Sequence, residues 1–83
     1  MQKTSEIKIS LKREYDLYSN AMAFYKNALK EFEQKHKLST RTFLKRFESG
    51  QLGDEGDYFD WYAFAKLLAR LRKTQSAIRS AIR

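Results

Sequence analysis

The sequence predicts an all-α fold: two long helices doubling back as an antiparallel hairpin, a short helix at the corner, and two such chains pairing as a dimeric four-helix bundle. Three observations lead there. Two long segments carry large apolar residues at the 3.5-residue period of helices that pack side by side. All three glycines lie between those segments, in the stretch FLKRFESGQLGDEGDYFDWYA from Phe43 to Ala63. The chain has no proline, and its many Ala, Leu, Lys, Glu and Arg residues favour helix.

In residues 1–9, Glu6-Ile7-Lys8-Ile9-Ser10 alternates polar and apolar as a short strand would, and equally fits a frayed helical lead-in or a disordered tail; the segment is read as a mobile or partner-dependent arm. Residues 10–83 form a single helical domain. Ser10 is the expected N-cap of the first long helix. Its stripe is Leu11, Tyr15, Tyr18, Met22, Tyr25, Leu29 and Phe32, in steps of 4, 3, 4, 3, 4, 3. Ala21 and Ala28 flank the stripe. Lys26 and Lys30 sit one turn apart on the outer face, a like-charge pair that is unfavourable unless an acidic group lies opposite.

The run Gln34-Lys35-His36-Lys37 ends this helix with cations that suit its dipole. Ser39 then caps a short helix to about Ser49, with Leu38 and Phe43 spaced as a hydrophobic staple. Gly50 follows as the residue that takes positive φ. Leu52 plugs the turn and Gly53 lets the chain reverse. Asp54 is the expected N-cap of the last helix, with Asp57 at the capping-box position and Gly56 weakening the first turn. That helix runs to Arg83 with the stripe Trp61, Phe64, Leu68, Leu71, Gln75, Ile78 and Ile82, in steps of 3, 4, 3, 4, 3, 4.

Two helices alone leave much of each aromatic-rich stripe wet, which predicts oligomerisation, most simply a C2 homodimer or else an obligate hetero-complex, over a monomer closed by the short helix. Antiparallel pairing also makes the rod bipolar. Lys8, Lys12 and Arg13 share one tip with Arg72, Lys73, Arg79 and Arg83, while Asp54, Glu55, Asp57 and Asp60 lie at the opposite corner.

Composition narrows the function classes. With 83 residues the chain holds one small core. Zero cysteines exclude a disulfide framework and thiol chemistry and suit a reducing, cytoplasmic setting. No apolar run approaches the roughly 18 residues of a membrane span, and the amino-terminal segment lacks the apolar core of a secretory signal. The formal charge of +7 fits an acidic protein partner or nucleic acid and chooses neither.

No catalytic, cofactor or metal site is expected. His36 is the only histidine and is flanked by Lys35 and Lys37, so it reads as a helix-end residue. The acids from Asp54 to Asp60 lack the twelve-residue pattern of a calcium loop and read as helix-capping groups. In the dense aromatic run, core packing explains Trp61 and Phe64, leaving Phe59 and Tyr62 as candidate anchors for a partner, with simple core burial the equal alternative. The last helix carries Lys66, Arg70, Arg72, Lys73, Arg79 and Arg83 and no acid after Asp60. These six cations and the two aromatics are the candidate partner-binding residues.

The corner stretch resembles that of small cytosolic proteins of bacteria and archaea, many of them antitoxin-like partners in two-gene toxin–antitoxin modules. The residues that carry the resemblance are Phe43 to Gly50, then Leu52-Gly53-Asp54, then Asp57 to Trp61 with Ala63, about a quarter of the chain. Thr42 and Gly56 depart from the acids such proteins place there. The resemblance implies neutralisation of a cognate toxin enzyme by direct binding, with the last helix from Tyr62 to Arg83 covering its active groove. The alternative is a small basic nucleic-acid-binding or architectural protein using the basic tip.

Overall fold

The computed structural model describes the backbone of residues 2–82 and the side chains of residues 6–82. It contains three helices: α1 (Gln2–His36), α2 (Thr40–Glu48) and α3 (Gly56–Ile82). The described residues form an elongated rod of 56 × 21 × 17 Å. No strand occurs among them. No helix of the described residues is long and apolar enough to cross a membrane.

The two stripes face each other along an antiparallel α1–α3 seam. Phe32 near the end of α1 stacks on Trp61 near the start of α3, with ring centroids 5.6 Å apart. Far along the rod, Gln75 Nε2 of α3 donates to the Tyr15 carbonyl of α1 at 3.2 Å and to Ser19 Oγ. All seven stripe residues of each helix are buried or half-buried, so the period located both buried faces. Gln75 is the one polar stripe residue, and its amide finds partners because the backbone of the facing helix comes within reach.

α1 begins at Gln2, well before the start expected near residue 11. Residues 2–9, expected as an arm, therefore continue the helix, and Ser10 lies inside it and caps nothing. This extension overshoots α3, whose Ile82 lies level with Lys12 and Tyr15. Among the described residues no helix lies opposite this end of α1, and Ile7 and Ile9 are exposed, at 59% and 55%.

The corner is built largely as the sequence indicates. Ser39 is extended, at φ −72° and ψ 151°, and its Oγ accepts from the Thr42 N–H at 3.1 Å. Leu38 and Phe43 both join the core cluster. α2 ends in a Schellman turn: Gly50, at φ +73°, donates to the Phe47 carbonyl and Gln51 donates to the Arg46 carbonyl. Leu52 packs on the same core.

Gly50 is the left-handed residue of this loop, as the sequence indicates. Two local expectations are corrected. α3 starts at Gly56, one turn position later than an Asp54 cap allows, and the Tyr58 N–H is taken by the Glu55 carbonyl at 3.0 Å. Asp57 does not act as a capping-box acid, because Lys35 and His36 hold its carboxylate. The other left-handed residue is Lys37, at φ +55°, where Leu38 donates back to the Glu33 carbonyl and closes α1.

Phe43 and Trp61 are fully buried within one chain, so the corner end of the hairpin closes without a partner. The expected dimer is therefore not required to keep these large rings dry. What one chain leaves open lies elsewhere along the rod.

Candidate interaction surfaces

The eight candidate residues do not form one patch. Phe59 to Arg79 spans twenty positions of helix, roughly 30 Å at 1.5 Å per residue. The structure places them at four locations. Arg83 lies outside the described residues.

At the corner, α2 and the start of α3 meet around Phe47. Tyr62 packs on the Phe47 ring at 4.9 Å between centroids, and Phe59 meets its edge at 5.8 Å. Tyr62 is half-buried and donates to Glu48 Oε2 at 3.3 Å. Lys66 Nζ reaches the same carboxylate at 3.1 Å and lies 5.3 Å from the Tyr62 ring centroid. The Glu48 carboxylate raises the Lys66 ammonium above its ordinary value, by hydrogen bond first and by charge second. Tyr62 and Lys66 thus tie α3 to α2, whereas Phe59 remains 60% exposed.

At the tip, Arg79 Nη2 donates to Tyr15 Oη at 2.7 Å, and its guanidinium lies over the Tyr15 ring at 5.5 Å. Lys12 and Asp16 line the same depression. Of the cations expected at this tip, the structure brings together Lys12 and Arg79, with Asp16 beside them, and Arg79 holds the ends of the two helices together, whereas Arg72 lies farther along the rod. Arg70 and Lys73 stand exposed on the outer side of α3 and make no ion pair among the described residues.

Arg72 belongs to a different feature, a groove of about 680 Å³ between α1, α2 and α3. Its floor includes Leu29, Leu44, Ala65, Leu68 and Ala69. Lys26, Lys30 and Arg41 stand with Arg72 around it. The period of the stripes does not reveal this groove, because it forms only where α2 leaves a gap beside the seam.

On another side of the rod, Leu17 and Phe24 are exposed at 67% and 63%. With Ala21 between them and Ala28 beyond, they form a second α1 stripe in steps of 4, 3, 4. Leu17 and Ala21 share a depression with Leu71 of α3. This surface is legible in the spacing of the sequence, but it lies beside the stronger stripe and is masked by it.

His36 is more than a helix end. Its Nε2 donates to Asp57 Oδ2 at 3.0 Å, and Lys35 Nζ reaches the same oxygen at 2.7 Å. The ring stacks on Trp61 at 5.5 Å and lies 5.4 Å from Tyr58. The two donors hold the Asp57 carboxyl below its ordinary value, Lys35 contributing most, and Asp57 in turn raises Lys35. Glu55 joins His36 and Asp57 as a group whose ligand atoms lie within 4.8 Å of one another. Lys35 and His36 both bond Asp57 Oδ2, so Asp57 of this group ties the end of α1 to the start of α3.

No family model, curated protein or solved structure matches the chain.

Proposed function

We propose that this chain is a protein-interaction module, an antitoxin-like protein that neutralises a partner toxin enzyme by direct binding through its basic last helix, α3. The observation that carries the interaction reading is the exposure of Leu17 and Phe24, one heptad apart, on a hairpin whose corner is already closed. Large apolar groups held in such a row at the surface of a rod are surface for another chain. The simplest occupant is a second copy, giving a C2 four-helix bundle, since the stripe already has the heptad spacing of helix packing. The toxin reading adds the resemblance of the corner stretch and the cations of α3. Arg70 and Lys73 have no ion-pair partner among the described residues and contribute nothing visible to the hairpin. They are free to meet the acidic groups of an enzyme's active groove.

Co-expression with the product of the neighbouring gene tests this. That product should arrest growth when made alone and co-purify with this chain when both are made. An R70E/K73E variant that remains folded should lose the complex. A harmless neighbour, or one that never co-purifies, overturns the toxin reading.

The basic tip, with Lys12 and Arg79 at one depression, favours a second reading as a nucleic-acid-binding protein. That reading requires affinity for random oligonucleotides that falls steeply with salt. No binding at low salt removes it.

A further inference from the structure

The groove beside α2 has a chemistry that the fold itself does not use. Lys26 and Lys30 come from α1, Arg41 from α2 and Arg72 from α3. All four are exposed, and none makes an ion pair among the described residues. Glu33 is the one carboxylate in the lining, and it is already engaged, accepting the Thr40 N–H at 2.8 Å at the start of α2. With four cations and one carboxylate, the lining keeps a net positive charge, and neither Lys26 nor Lys30 has an ion-pair partner among the described residues.

The floor between these cations is apolar and shallow. Ala23, Ala65 and Ala69 are small, and Leu29 and Leu68 are buried beneath them. The α1 wall runs from Ala23 to Glu33, about 15 Å at 1.5 Å per residue, or roughly three turns of a docked helix. Small residues in a floor allow another backbone to approach closely. A nucleic-acid backbone would gain from the cations but would leave the leucine and alanine floor without use. An amphipathic helix with one apolar face and acidic flanks would use both.

We infer that this groove is a docking site for an acidic amphipathic helix of a partner protein, seated on Ala65, Leu68 and Ala69 and held by Lys26, Lys30, Arg41 and Arg72. The inference rests on the reading of the chain as a protein-binding module and names the partner element that one of its surfaces takes. Charge complementarity selects the occupant. The chain's own free cations face the groove, so a basic or neutral helix gains nothing at its rim, while each carboxylate of an acidic helix meets a cation that has no other partner.

The test uses the full chain and three probes: a fifteen-residue Leu/Glu peptide with leucines at i, i+3, i+4 and i+7, a scrambled peptide of the same composition, and a random single-stranded oligonucleotide. Backbone amide shifts are followed by NMR. The patterned peptide should perturb Ala23, Ala65 and Ala69, and the scrambled one should bind at least tenfold more weakly. K26E/K30E should weaken the patterned peptide tenfold or more. A69W, which fills the floor without changing charge, should weaken it by a similar factor. Both variants must keep the helical circular dichroism of the parent chain. Equal binding of both peptides, a footprint confined to the tip near Lys12 and Arg79, or an oligonucleotide footprint in the groove without a peptide footprint overturns the inference. The peptide result is read without the neighbouring gene product, so failure of the groove and failure of the toxin reading are separate outcomes.

Discussion

The rings of Phe43 and Trp61 lie parallel, 1° from coplanar orientation with centroids 4.0 Å apart, and neither is exposed at all. One ring comes from the short helix and the other from the start of the last, so this stack fixes α2 against the hairpin. Trp61 Nε1 donates to Thr40 Oγ1 at 2.9 Å, which satisfies the one polar atom that burial would otherwise strand. F43A should therefore cost about 3–5 kcal/mol, a large share of the stability of so small a domain. T40V, which keeps the shape but removes the acceptor, should cost about 1–3 kcal/mol. Urea unfolding read by Trp61 fluorescence measures both.

Gln75 is buried on the seam with its amide on Tyr15 and Ser19. Replacing it with leucine removes the buried polar group and its need for partners together, so Q75L should stay within about 1 kcal/mol of the parent chain. Q75A leaves a gap in a seam that is closed on either side by Leu71 and Ile78 and should cost about 1–3 kcal/mol. Thermal unfolding of the two variants separates these outcomes.

Lys37 holds a left-handed conformation that a side chain bearing Cβ adopts at a cost. K37G should relieve that cost, offset in part by the greater freedom of glycine in the unfolded chain, for a net gain of about 1 kcal/mol or less. A fall in the urea midpoint would show that the lysine side chain contributes something else there.

The Lys35–Asp57–His36 contact makes the corner sensitive to pH at both extremes. Lys35 and His36 lower the folded carboxyl of Asp57 below its ordinary 3.8. Its contribution is present in full above that value and is lost as pH falls through the lower, folded value. Lys35 is raised above 10.5, so its contribution is present below 10.5 and is lost as pH rises through the folded value. D57N should flatten the acid limb of the stability–pH curve below pH 4 and the alkaline limb above 10.5 relative to the parent chain. Unfolding midpoints across the pH range read this directly.

Much of the fold was legible because it is repetitive. A 3.5-residue period held over three repeats identifies a buried face whatever the neighbouring residues are, and both stripes lie where it puts them. Ser39 and Gly50 were legible for a different reason: a hydroxyl before a helix and a glycine after one have specific hydrogen-bonding and φ roles. Lys37 carries no such mark, since lysine at positive φ is imposed by the closing of α1 and not favoured by the residue. The conformation of residues 2–9 was ambiguous because alternation over a few residues fits a strand as well as a helical lead-in, and the structure continues α1 through them. The tie of Lys35 and His36 to Asp57, twenty-two and twenty-one positions away, exists only once the hairpin has closed. The candidate surfaces divided in the same way. Phe59 was legible as an aromatic left over from the core, whereas the groove needed three helices in place, and Tyr62, Lys66 and Arg79 turned out to serve contacts within the chain.

In the proposed dimer, a second copy of this 9.9 kDa chain covers the row of Leu17, Ala21 and Phe24. Sedimentation equilibrium of the full chain, beside an L17K/F24K variant, measures this. A dimer gives a parent mass of about twice 9.9 kDa and a monomeric variant, with its helical content and buried Trp61 retained. A parent chain that sediments as a folded monomer at every concentration, with the same stability as the variant, would contradict it.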